Sequence, residues 1–268
     1  MDPNHKRLFF GMDVKAPWPE SFPAGRLLDP DHRHMTLTFL GNTDYAKLQS
    51  ALSSFPNPPF KLGLAAKFDQ CLFFPERHPH VVAWHITWLE KDSDKIPSYY
   101  QALDLWLKNH SISAELENSF LPHVTIARSP FNQHIWKKAF SPLPVVVQNI
   151  HLYESIGHLR YIPLWSLPLL APFEEFEHTA DLAYRVRGED FNQLYAHGAF
   201  ALCFSFVDLL PFLQKKEGLS CLEEVIIELN HLVTVADQEI GCPFKAVSFH
   251  SHLSQKENLF EWEMIIDV

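Results

Sequence analysis

Two short segments of this chain alternate polar and apolar side chains with the period of a β-strand, and both open with the same side chains: His34-Met35-Thr36-Leu37 and His123-Val124-Thr125-Ile126. Successive side chains of a strand point to opposite faces, so a His at i and a Thr at i+2 share one face. In HMTLTFLG the alternation predicts His34, Thr36 and Thr38 on a polar face and Met35, Leu37 and Phe39 on an apolar one. In HVTIAR, Val124 and Ile126 take the apolar side. Such strands need a sheet with a core beneath it and an accessible surface above. Brought together, they would face two imidazoles across one cleft, with hydroxyls ready to donate to an anion between them.

By frequency alone, 16 His and 7 Thr in 268 residues give roughly half an H-x-T match. The chain holds three. The third, His85-Ile86-Thr87, lies in HVVAWHITWL between Trp84 and Trp88 and reads as part of a mostly buried strand, with His85 structural. Arg128 stands at i+5 from His123, an odd offset that brings it to a phosphate only if the strand twists or bulges near its end.

Charge divides the chain. Residues 1–172 carry 16 Lys+Arg against 15 Asp+Glu, whereas residues 173–268 carry 6 against 17, and Pro163, Pro168 and Pro172 punctuate the seam. Two domains are expected, 1–170 and 173–268. The overall acidity, with no cluster of Lys and Arg, argues against a grip on long nucleic acid and leaves RNA ends, cyclic nucleotides or a protein as partners. Cys71, Cys203, Cys221 and Cys242 are scattered without a C-x-x-C pair, as expected of reduced thiols in the cytoplasm. No apolar run is long enough for a signal peptide or a membrane span. His32/His34, His78/His80 and His250/His252 have i, i+2 spacing but lack the companion ligands of a zinc site.

Periodicity places strands at 6–14, 60–64, 71–74, 81–89, 144–153 and 160–164 around the two His strands. Helices are expected at 44–54, 97–110 and 133–140. The acidic part reads as a strand at 177–187, helices at 190–206 and from a Ser220-Cys221-Leu222-Glu223 capping box to Leu232, and strands at 245–250 and 261–268. The fold class is α+β throughout: a two-lobed sheet domain in which each half supplies one H-x-T strand to a central cleft, then a small α+β unit. With a 2',3'-cyclic phosphate between His34 and His123, a neutral imidazole takes a proton from water. The other imidazole, protonated, gives one to the departing ribose oxygen. Thr36 and Thr125 hold the nonbridging oxygens, and no cofactor is required. These residues alone leave open which imidazole is acid and which is base.

The segment from Arg7 to about Leu167 resembles the 2H phosphoesterase superfamily, in particular the RNA 2',3'-cyclic phosphodiesterases also called 2'-5' RNA ligases. The likeness rests on RLFFGMD, HMTLTFLG, PHVTIAR and LYES at Leu152–Ser155. It implies a bilobal fold and hydrolysis of RNA or nucleotide 2',3'-cyclic phosphate to a 2'-phosphomonoester, with His34 as acid on the 3' oxygen and His123 as base for water. Two rival readings are 2'-5' ligation, the reverse reaction, and a non-catalytic protein that binds RNA ends and assists a ligase.

The acidic part resembles archease, the small metal-binding activator of the RNA-splicing ligase, through FEHTADLAYRVRG, NQLYAHGAFAL, KAVSFH and IIDV. The resemblance implies Asp181, Asp208 and Asp267 as ligands of Ca²⁺ or a similar hard cation, and the splicing ligase as a partner in tRNA splicing. The likeness is to a shortened form, since only Val233 to Phe244 lies where archeases carry a longer run of strands. Without it, Asp208 simply closes a helix and Asp267 is an exposed terminal residue.

Overall fold

The computed structural model describes residues 4–88, 95–114, 120–178, 182–249 and 252–268, and the chain divides into two units, Met1–Leu169 and Leu170–Val268. The first unit carries β1 (His5–Lys15), β2 (Arg26–Leu27), β3 (His34–Asp44), β4 (Leu64–Phe74), β5 (Val81–Trp88), β6 (His123–Arg128), β7 (Leu143–Gly157) and β8 (Arg160–Leu167). Its helices are α1 (Tyr45–Ala51), α2 (Lys95–Asn109) and α3 (Gln133–Ala139).

Every pairing among these strands is antiparallel, in the order β1-β3-β6-β5-β4-β7-β8, with β2 beside β6. Because β1 also pairs with β7, six strands close into a cycle. The long β7 makes this possible: Leu143–Val147 pairs with β4, and Ile150–Gly157 pairs with β8. One half of the sheet is then β8-β7-β1-β3, with the His34 strand, and the other β7-β4-β5-β6, with the strands of His85 and His123.

Beneath the sheet, Phe10, Met12, Met35, Ile86, Val124 and Ile150 are essentially solvent-free. Trp106 of α2 packs on Phe10 and Phe55, and its indole N–H donates to Ser54 Oγ at 3.1 Å. The connection before β3 is pinned by Arg33, whose guanidinium stacks on Trp18 and Phe22 and donates twice to the Leu28 carbonyl. Burial lowers that guanidinium to about 10, with Asp29 opposing. α1 starts at Asp44, whose carboxylate caps the N–H groups of Ala46 and Lys47.

Three local expectations change. β3 carries an extra residue at Leu37, because Gly11 faces Thr36 whereas Phe10 faces Thr38. Beyond that bulge the faces exchange: Thr38 is buried and Phe39 is 49% exposed, the reverse of strict alternation. The strand expected at 60–64 begins only at Leu64 and runs unbroken through 71–74.

The second unit has a five-stranded antiparallel sheet of β9 (Phe173–Glu175), β10 (Leu182–Gly188), β11 (Ala246–Val247), β12 (Leu253–Lys256) and β13 (Leu259–Asp267). Its helices are α4 (Phe191–Ser205) and α5 (Leu222–Ile240). Val186, Leu194, Ala201, Leu202, Leu229, Trp262 and Met264 build one core. Gly198 lets α4 approach Leu229 and Trp262, since a Cβ there would lie 3.2 Å from the Leu229 side chain. Arg185 and Arg187 of β10 gather Glu174 and Glu261, which offsets part of this unit's negative charge. α5 passes the expected end at Leu232 because Val233 and Ala236 still face the core. The expected capping box is not formed: Cys221 is the N-cap without a side-chain bond, and Glu224 rather than Glu223 accepts from the Ser220 N–H and hydroxyl. No helix among the described residues is long and apolar enough to cross a membrane.

Candidate active site

The pairing of Met35 with Val124 joins β3 to β6 and sets the site. In an antiparallel register, neighbours on either side of such a pair also oppose one another, so His34 stands across from Thr125 and Thr36 across from His123. The strands are thus immediate neighbours rather than opposite walls of a cleft. With Met35 and Val124 turned into the core, all four motif side chains share the other face. The two histidines are diagonal across the pair, a separation of roughly 7–8 Å and somewhat less between their Cβ atoms. Their rings are close enough to interact electrostatically.

Both rings are oriented alike. His34 Nδ1 lies 2.8 Å from the His32 carbonyl oxygen, and His123 Nδ1 lies 2.8 Å from that of Leu121. A carbonyl only accepts, so each Nδ1 carries a proton and each Nε2 is the atom left to exchange protons with a ligand. The carbonyl is supplied in both cases by the residue two positions before the His, where the strand begins.

The environments differ. His34 is 8% exposed and boxed by the rings of Phe9, Tyr153 and Tyr161, the first and last with centroids 4.7 Å away. Burial lowers the His34 imidazole to about 4; the bond to the His32 carbonyl opposes this, while the charges of His123, His32 and His151 add to it. Gly11, opposite Thr36, leaves room for the ring: a Cβ there would lie 3.0 Å from the Met35 carbonyl oxygen and 3.5 Å from His34 Cδ2. His123 is half-buried, with Phe74 beside it at 5.2 Å.

Arg128 meets the condition its offset imposes. Thr125 faces Ala83 but Ala127 faces Val82, so β6 holds an extra residue between them. That bulge returns Arg128, opposite Val81, to the face of His123 and Thr125. Its buried Nε has no hydrogen-bond partner among the described residues.

β5 is mostly buried, as expected, and His85 is held by Asp69 at 2.7 Å; where the ring sits was not legible in the sequence. It lies directly across from His123 on β5 and is half-buried on the same face, while its neighbours Trp84 and Ile86 carry the strand's apolar side.

In the second unit, Asp208 lies in the 3-10 turn Val207–Phe212 after α4, and Asp267 ends β13, where its carbonyl accepts from the Lys245 N–H. Asp181 lies outside the described residues. Among the described residues no three His, Cys, Asp or Glu side chains converge as metal ligands, so Asp208 and Asp267 do not by themselves fit a cation.

Known proteins match part of the chain. Over 138 residues the chain is 27% identical to the RNA 2',3'-cyclic phosphodiesterase of Thermotoga maritima, covering 47% of this chain and 67% of that one. It is similar to E. coli LigT solved with 3'-AMP (22% identity, TM-score 0.44, 62% of this chain and 98% of the other). It is also similar to LigT in apo form (23%, 0.45, 62% and 99%) and to a solved protein of Thermus thermophilus (18%, 0.45, 62% and 98%). No family model matches the chain.

Several residues of this surface escaped sequence reasoning. His151 of β7 stands opposite Gly11, its Nδ1 2.7 Å from Ser166 Oγ and its Nε2 3.4 Å from Asp13. Tyr153 lies two residues on, and Tyr161 belongs to β8. Tyr153 falls within LYES, the one local signal that could have drawn attention to it.

Proposed function

We propose that the first unit hydrolyses the 2',3'-cyclic phosphate of RNA ends or nucleotides to a 2'-phosphomonoester, with His34 and His123 supplying both proton transfers. The observation that carries this reading is the register through Met35 and Val124, which sets two Nε2-presenting imidazoles diagonally on one face with a threonine opposite each. The similarity to the Thermotoga maritima enzyme supports it.

In this mechanism His123 Nε2 takes a proton from water as the water oxygen attacks phosphorus in line with the 3' oxygen. The bond from phosphorus to the 3' oxygen breaks, and protonated His34 delivers its Nε2 proton to that oxygen. The products are a 3'-hydroxyl and a 2'-phosphate. Thr36 and Thr125 donate to the nonbridging oxygens, where negative charge accumulates, and Arg128 adds a cation at the strand end. Burial leaves His34 neutral in the substrate-free protein at pH 7. One negative charge about 4 Å away, at an effective dielectric of about 20, contributes about 4 kcal/mol, worth about three pH units in favour of the imidazolium. The substrate's own phosphate therefore recharges the acid.

Incubation with nucleoside 2',3'-cyclic phosphates and with cyclic-ended RNA, followed by chromatography, tests the reading. A 2'-phosphate product is expected; binding without conversion, or joining to a 5'-hydroxyl RNA, would replace it with end recognition or ligation.

For the second unit we propose a shortened archease-like domain that assists an RNA ligase in the cytoplasm, on the sequence likeness around residues 176–188 and 245–250. Asp181, Asp208 and Asp267 would be its cation ligands. Calcium titration by calorimetry, with Asp267→Ala as control, is expected to release heat only in the wild type; a silent wild type rejects the metal site.

A further inference from the structure

The third H-x-T segment is built as a site in its own right. β4 carries an extra residue at Asp69, because Phe68 faces Ile86 whereas Gln70 faces His85. The bulge aims the Asp69 carboxylate at two donors on β5: His85 Nδ1 at 2.7 Å and the Thr87 hydroxyl at 2.5 Å. Burial works to raise the Asp69 carboxyl, yet the bonds from Thr87 and His85 outweigh it and hold the group below its usual value. Both carboxylate oxygens are thus engaged, and Nδ1 of His85 is committed as a donor. What His85 offers a ligand is Nε2, which donates to a phosphate oxygen in the imidazolium form paired with Asp69.

Position gives this cluster its meaning. The Ile86 N–H donates to the Pro122 carbonyl, which makes His85 and His123 a non-hydrogen-bonded pair, the closer kind, with Cβ atoms roughly 5 Å apart. Thr36, His123 and His85 therefore form one row across β3, β6 and β5. Lys67 of β4 stands opposite Thr87 on the same face and has no carboxylate partner among the described residues. The groups turned to this end of the row are His123, His85, Thr87, Asp69, Gln70 and Lys67. The ring and the ammonium are the ones left to meet a ligand.

We propose that His85 and Lys67 form a second phosphate subsite, one strand spacing beyond His123, which binds the phosphodiester preceding the cyclic end of an RNA. This rests on the proposed hydrolysis of cyclic phosphates and deepens it, naming an oligonucleotide end rather than a lone nucleotide as the substrate. A mononucleoside cyclic phosphate has nothing to place there.

The test compares a cyclic-ended oligoribonucleotide with a nucleoside 2',3'-cyclic monophosphate, using wild type, His85→Ala, His85→Asn and Lys67→Ala, with circular dichroism to confirm folding. His85→Asn retains an amide donor near Asp69 but ends short of the neighbouring phosphate. For the oligonucleotide, KM is expected to rise about tenfold in each variant with kcat preserved, while the mononucleotide is turned over as by wild type. Equal losses on both substrates would mean that His85 acts only through His123, and no change on either would empty the subsite; both results overturn the proposal. A wild type that hydrolyses neither substrate overturns the underlying hydrolysis, and the subsite with it.

Discussion

Acidification should act on the stability of the fold through His34. In the folded chain its ring is lowered from 6.5 to about 4, chiefly by burial. Between those values the unfolded chain binds a proton that the folded one refuses, so stability falls as pH drops. The contribution is complete above about 6.5, declines through the interval and levels off below about 4. Over that span, at about 1.4 kcal/mol per pH unit, the loss amounts to about 3 kcal/mol, a large share of the stability of an ordinary domain. Six of the seven tryptophans lie in the first unit, so their fluorescence during urea unfolding follows the part that contains His34. Wild type minus His34→Gln should shrink by about 3 kcal/mol between pH 7 and pH 4, and the His34 Cε1 proton should titrate near 4 by NMR. Saturating inorganic phosphate should move that titration upward by as much as three pH units. A ring that titrates near 6.5, or a stability difference flat across this range, would refute the argument from burial.

Other perturbations have equally definite outcomes. Gly11→Ala places a methyl 3.0 Å from the Met35 carbonyl oxygen and against the His34 ring, so it should cost about 1–3 kcal/mol in urea unfolding and lower kcat; wild-type behaviour in both would contradict the packing described. Tyr161→Ala opens one wall of the His34 box, and the ring's NMR titration should climb toward 6.5; an unmoved titration would assign its burial to other groups. Asp190→Ala removes the carboxylate that caps the Gln193 N–H at 2.8 Å, at about 1 kcal/mol, visible as a lower calorimetric transition of the second unit.

Much of this surface was legible in local pattern, and what was not has one physical origin. His34, Thr36, His123 and Thr125 announced themselves because a strand's two-residue period is written in the order of side chains. The charge contrast between residues 1–172 and 173–268 was equally visible. Thr38, Phe39, Arg128 and His85 were harder because each depends on a bulge or a cross-strand partner. An extra residue changes the face of everything beyond it, and whether one is inserted is decided by the partner strand's register rather than by the strand itself. The aromatic wall of His34 is long-range as well: Tyr153 and Tyr161 reach it only because β7 pairs with β1 and β8 returns along β7. In the second unit the expected Ser220 capping box is replaced by an N-cap at Cys221 without a side-chain bond, with Glu224 taking the Ser220 N–H, so a local motif was misread.

Whether two imidazoles 89 positions apart act on one phosphorus atom is read from the initial rate of nucleoside 2',3'-cyclic phosphate hydrolysis by wild type, His34→Ala, His123→Ala and the double variant. Each single variant should lose about 10²- to 10⁴-fold in kcat with its fold intact. The double variant should fall little below the weaker single one, because both groups serve one transition state. Turnover that survives the loss of either imidazole would contradict the account.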